Sequence, residues 1–284
     1  MRRCIVLVFI FFVFSWVTLS WGYFLTIFDP KRQGYALKGQ ETQFFVLRTE
    51  PFQGIVYDLK APQGKVFRPD KKTESLAFVR TMFKDFATGK KRYAWKIKYV
   101  PTMAGDHYLL FVTQPTLMPA IGEVWQEIVK VPLHVEKEKG WGQILEQKFE
   151  IIPMTRPYGL VVGNVFKGQV LFEGKPAPKV FVQMVRFNGI YLSPDKLPQD
   201  TFGKRDNPRM YLSLYTDENG EFTVGFPQEG WWLITAKVPY GKHRIGNSNY
   251  PLFLRTSFWL YVDKPFKLPE KAPFLEEVKE SISR

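Results

Sequence analysis

Apolar and polar residues alternate with a period of two along much of this chain, most clearly from Thr216 to Val238. Phe222, Val224 and Phe226 alternate with Glu221, Thr223 and Gly225. Trp232, Ile234, Ala236 and Val238 then alternate with Trp231, Leu233, Thr235 and Lys237. Such a period places one set of side chains on one face of a β-strand. Asn219-Gly220 supplies the left-handed positions of a tight turn before the first run, and Pro227 to Gly230 breaks the chain before the second. Upstream, Gly168 to Val185 reads as strand, turn, strand. These pieces predict half of a small β-sandwich. The neighbouring Trp231 and Trp232 have opposite parity, so one ring is expected in the core and the other outside. A sugar-stacking platform is the alternative use of the outer ring.

The first half carries the same pattern. Tyr23 to Phe28 starts as an apolar strand and breaks at Asp29-Pro30, Gly39 to Arg48 follows, and Leu76 to Phe83 is a further strand. Tyr93, Trp95, Ile97 and Tyr99 alternate with Ala94, Lys96 and Lys98, and Pro101 to Asp106 turns the chain into His107 to Val112. Glu127, Val129, Val131, Leu133 and Val135 share one parity. With no long helical period, these strands predict an all-β fold of two antiparallel Ig-like or transthyretin-like β-sandwich domains. Their expected extents are 23–136 and 153–263, with a linker at 137–152 in which Trp141 to Glu150 forms one short helix. Ser193 to Met210, with three prolines and many charges, reads as a long surface loop. A polar tail follows at 264–284, either disordered or with a short helix from Phe274.

The chain's start changes the picture of where it works. Arg2 and Arg3 precede an almost wholly apolar run from Ile5 to Trp21, and Ser20-Trp-Gly22 fits a cleavage site. Residues 1–22 are therefore expected to be a secretory signal, leaving Tyr23 first in a periplasmic or otherwise extracytoplasmic protein. An uncleaved membrane anchor is the alternative, because no charge interrupts Arg3 to Asp29. Cys4 is the sole cysteine, so the chain beyond the leader has no thiol catalysis, thiolate metal site or disulfide. The formal charge of +13 suits anionic surfaces such as lipid headgroups or envelope polymers, so membrane-surface contact is a candidate interaction. The basic residues are dispersed, with no stripe of the kind that tracks nucleic acid, and no nucleic-acid partner is expected.

Catalytic signatures are missing. No Gly-x-Ser-x-Gly elbow, phosphate-cradling Gly-x-x-x-x-Gly-Lys loop or His-Glu-x-x-His is present, and His107, His134 and His243 lie far apart in sequence. Each is expected to be an ordinary surface histidine. The chain is not expected to be an enzyme.

Two long stretches, Pro153 to Pro178 and Thr216-Asp-Glu-Asn-Gly-Glu-Phe with Glu229-Gly-Trp-Trp232, resemble a bacterial family of periplasmic cobalt- or nickel-uptake components and uncharacterised proteins. Tyr23 to Phe28, Thr49 to Gly54 and Asp58 to Pro62 resemble it more weakly. The resemblance implies an accessory that captures or delivers a divalent cation, nickel or cobalt, for an inner-membrane metal transporter. It also implies ligand positions at the mature N-terminus, before a proline, and at the start of the first domain's last strand. Where relatives often carry histidines, this chain has Tyr23, Glu50 and Glu127; Asp58 joins them because it closely follows the Glu50 loop. Carboxylates prefer harder ions than nickel or cobalt. The alternative is a structural or binding module of the cell envelope that uses no metal.

Overall fold

The computed structural model describes residues 23–31, 33–197 and 211–265. The expected signal segment, most of the Ser193–Met210 loop and the helix expected from Phe274 lie outside the described residues.

In chain order, the first half forms β1 (Phe24–Phe28), β2 (Tyr35–Ala36), β3 (Thr42–Glu50), β4 (Ile55–Tyr57), β5 (Gln63–Phe67), β6 (Thr73–Ser75), β7 (Phe78–Lys84), β8 (Lys91–Tyr99), β9 (Gly105–Val112), β10 (Thr116–Met118) and β11 (Glu123–Val135). The second forms β12 (Phe149–Pro153), β13 (Leu160–Val161), β14 (Val165–Phe172), β15 (Lys175–Pro176), β16 (Phe181–Arg186), β17 (Leu212–Tyr215), β18 (Glu221–Gly225), β19 (Gly230–Ile245) and β20 (Ser248–Asp263). A single 3-10 turn, Pro194–Lys196, is the only helical element among the described residues. The all-β sandwich expected from the alternation is the architecture observed.

Three sheets build it. An outer sheet has the order β1-β3-β8-β7, with β4 beside β3. A long middle sheet runs β17-β16-β19-β20-β11-β9-β5-β6. A third sheet places β12, β15 and β18 along β14. Pairing is antiparallel except where β2 and β20 meet β11 and where β13 meets β20. The β11–β20 contact joins the two halves, with Val124 opposite Leu252 through Lys130 opposite Phe258.

The middle sheet is covered on both faces. On one, Leu109, Phe111, Val129, Val131 and Leu133 pack with Phe44, Val46 and Ile97 of the outer sheet. On the other, Leu110, Ile128, Ile234, Phe258 and Leu260 pack with Phe166, Val170 and Phe222 of the third. This corrects the expectation for the tryptophans. Trp231 is 1% and Trp232 6% exposed, because their opposite parities point into two different cores rather than one core and solvent.

The turn before β18 is also a different device from the one expected. Gly220 does take a left-handed conformation (φ 71°), and Asp217 Oδ1 accepts hydrogen bonds from Asn219 N and Glu221 N. Yet β17 lies in the middle sheet and β18 in the third, so the turn carries the chain across the sandwich and closes no hairpin.

The segment 141–148 forms no helix. Its amides have a better acceptor: the buried Glu150 carboxylate takes Leu145 N at 2.9 Å and Gln147 N at 3.2 Å. The same carboxylate pairs with buried Lys130 at 2.7 Å, and Lys130 Nζ donates to Gln143 O at 2.9 Å. The segment is thereby strapped to the middle sheet.

Two of the three histidines depart from the surface role. His107 is fully buried, with Nε2 at 3.0 Å from Met103 O and Nδ1 at 3.0 Å from the Tyr99 hydroxyl. The carbonyl can only accept, so Nε2 carries the proton and neutral Nδ1 accepts from Tyr99. His134 Nδ1 is hydrogen-bonded to buried Asp106 at 2.7 Å, and its ring stacks on Tyr158 at 4.0 Å. His243 lies in the β19–β20 hairpin, partly exposed as expected.

Two outcomes follow from this packing. A Cβ at Gly220 would sit 2.7 Å from Ala177 N and 2.8 Å from Val170 O, at a positive φ. Gly220→Val should therefore lower stability by roughly 1–3 kcal/mol, and an unchanged urea midpoint would contradict the turn geometry. Burial pushes the His107 pKa below its ordinary value of 6.5. The unfolded chain then holds more protons there than the native one, so stability is complete above about pH 6.5 and is lost as pH falls through the folded value. Urea midpoints measured at about pH 7 and about pH 5 should fall further for wild type than for His107→Gln, whereas equal falls would remove His107 from the acid response.

Candidate functional site

Glu127 points into the interior, as its parity with Val129 and Val131 requires, and is 2% exposed. In the parallel register it stands opposite Arg255 of β20, and their side chains meet at 2.6 Å. Glu127 Oε1 also accepts Leu25 N at 3.0 Å, while Arg255 Nη2 donates to the Tyr23 carbonyl. The guanidinium lies against the rings of Phe24 (4.2 Å) and Trp125 (4.5 Å). Strands β1, β11 and β20 are thus pinned at one ion pair. Burial works against the charge on Arg255, and Glu127 opposes that effect.

The other expected ligand positions have partners too. Glu50 ends β3, and its carboxylate accepts Gln53 N (2.6 Å), Phe52 N (3.1 Å) and the Tyr211 hydroxyl (2.8 Å). Burial raises its pKa, and these hydrogen bonds offset part of the rise. The Tyr23 ring contacts that of Tyr57 at 3.8 Å. Asp58 faces away toward β8, accepting Tyr93 N at 2.7 Å with Arg92 at 3.9 Å. Tyr23 and Glu127 therefore share Arg255, Glu50 reaches the same neighbourhood through Tyr211, whose ring is 6.3 Å from Phe24, and Asp58 stands apart. Among the described residues no three His, Cys, Asp or Glu side chains are grouped to hold a metal ion. A cation at Glu127 would sit beside the Arg255 guanidinium, and at Glu50 both carboxylate oxygens already accept hydrogen bonds.

A second location was not anticipated. Arg186 ends β16 with the parity of Val182 and Met184 and stands opposite Trp232 in β19. Its guanidinium therefore lies on the face covered by the third sheet, but β18 ends at Gly225 and turns away through Pro227. A cleft of about 1140 Å³ opens there, with Met184, Phe226 and Trp232 in its lining and Leu212 at its wall. Arg186 Nε donates to Glu229 O at 2.6 Å and Nη1 to Asn188 Oδ1 at 2.9 Å. Asn188 is itself fixed by Pro51 O and Phe52 O. The guanidinium lies 4.7 Å from the centre of the Tyr191 ring. Among the described residues Nη2 has no hydrogen-bond partner and Arg186 no ion pair; the Glu229 carboxylate meets Lys264 at 3.5 Å. Burial lowers the Arg186 pKa from its ordinary value, with Tyr191 and Glu229 acting in the opposite sense. The sequence held one signal for this site: a charged residue at an apolar parity.

Fold and site together describe an all-β sandwich chain with charged groups set into its interior. It belongs to the family described as Domain of unknown function (DUF4198), whose model matches residues 27–239. No curated protein matches it. Similar solved structures include Salmonella α-2-macroglobulin reacted with methylamine, 12% identical, covering 85% of this chain and 15% of that one, with a TM-score of 0.26. A DUF4785 family protein from Legionella pneumophila is 8% identical over 74% of this chain and 52% of its own, with a TM-score of 0.27. The D00-D0 domain of intimin is 10% identical over 84% and 100%, with a TM-score of 0.18. The chain thus spans only about 15% of the macroglobulin's length.

Removing one partner of the buried pair tests its role. Arg255→Met should lower the unfolding free energy by about 3–5 kcal/mol, because Glu127 is left charged and buried. The double variant Glu127→Leu with Arg255→Met should recover most of that loss. Equal urea midpoints for wild type and Arg255→Met would show that the pair does not hold the strands.

Proposed function

We propose that this chain is an exported binding module of the cell envelope, without catalysis and without a resident metal. The observation that carries the reading is the Glu127–Arg255 pair: where the resemblance expects a cation ligand, the chain supplies its own cation at 2.6 Å. Glu50 is likewise engaged by three donors. The basic composition supports contact with anionic envelope material. So does the β19–β20 hairpin, where Lys242 and Arg244 are exposed and no carboxylate occurs between Lys237 and Val262.

A second reading, an accessory that hands nickel, cobalt or another divalent cation to an inner-membrane transporter, has one observation in its favour. Tyr23, Glu50 and Glu127 gather around Arg255 and Tyr211 despite their separation in sequence.

Calorimetric titration of the mature protein with Ni²⁺, Co²⁺, Zn²⁺ and Ca²⁺ separates the readings. No saturable binding dependent on Glu50 or Glu127 is expected. A stoichiometric site that weakens in folded Glu50→Gln and Glu127→Gln variants would replace the first reading by the second.

A further inference from the structure

We propose that the cleft ending at Arg186 binds a single carboxylate carried on an apolar body, with Arg186 receiving the carboxylate. This rests on reading the chain as a binding module and names the ligand class for it. Among the described residues Nη2 has no hydrogen-bond partner, whereas Nε donates to Glu229 O and Nη1 to Asn188 Oδ1. Those two bonds fix the plane of the guanidinium, and Asn188, 4% exposed, is anchored in turn by the backbone at Pro51 and Phe52. An arginine held this way needs little ordering to meet an anion, and the bond its Nη2 can donate to a carboxylate oxygen is charge-assisted.

The rest of the cleft sets the body of the ligand. Met184, Phe226 and Trp232 are core residues, 3%, 1% and 6% exposed, so a ligand there would extend the interior of the second sandwich. A volume of about 1140 Å³ suits a small organic molecule rather than a lone ion. With one unbonded amino edge, Arg186 fits one charged group. A polyanion would leave its other charges against apolar walls.

The test is calorimetric titration of the mature protein with decanoate and with decanol, each below its aggregation concentration. Wild type should bind one decanoate per chain, with decanol at least about tenfold weaker, as expected for loss of a charge-assisted hydrogen bond. Arg186→Met should weaken decanoate about tenfold or more and leave decanol unchanged. Because Arg186 also holds two structural bonds, Leu212→Glu provides an independent arm: Leu212 is 49% exposed, so the fold tolerates the change. The new carboxylate should repel decanoate more than decanol, and Leu212→Gln should not discriminate. Absent saturable decanoate binding, equal binding of decanol, or wild-type decanoate affinity in Leu212→Glu would each overturn the proposal. A metal found at Glu127 would overturn the proposed function instead and leave these outcomes standing.

Discussion

The parallel seam between β11 and β20 is the constraint on which the rest of the structure depends. Joining two half-sheets into one leaves the middle strands with a core on either side, so both parities must be apolar or neutralised. From Glu127 to Leu133, and from Leu254 to Leu260, every residue is buried. The charges in these runs are therefore matched. Glu127 meets Arg255 directly across the seam, and Lys130 meets Glu150 from the third sheet. Each pair also secures a neighbouring segment, β1 in one case and 141–150 in the other. Buried pairs are weak sources of net stability, but a broken one is costly, which disfavours other registers of the seam.

The same constraint locates the cleft. The third sheet is shorter than the middle sheet it covers, and its β18 stops at Gly225. The interior face of β16 and β19 continues past that point and surfaces beside Arg186 and Trp232. An apolar floor with a cation at its end is what remains when one layer of a sandwich runs out before the other.

How legible this was in the sequence depends on how local each cause is. The alternation of Phe222, Val224 and Phe226 reports one buried face and was readable. So was the inward direction of Glu127, through its neighbours Val129 and Val131. Its partner was not, since a parallel contact between residues 128 positions apart leaves no spacing to detect. The two tryptophans misled because alternation assumes that one face is wet. His107 shares parity with Leu109 and Phe111, and Arg186 with Val182 and Met184, so the burial of the first and the inward face of the second were written in the pattern but masked by residue type. The missing helix at Trp141 to Glu150 reflects competition: the Glu150 carboxylate, three to five residues away, takes the amide protons of Leu145 and Gln147, and its partner Lys130 on β11 holds it buried there, a contact with no local signal.

One feature of β1 bears on how the chain reaches its final form. The amide of Leu25 binds Glu127, and its carbonyl accepts from the indole of Trp259, 234 residues later. The first strand thus cannot complete its bonds until nearly the last strand has emerged. Contacts of such sequence separation slow folding by the entropy of closing long loops. A chain emerging N-terminus first would therefore stay open at this strand until its far end followed, holding β1 in reserve for a late closing step.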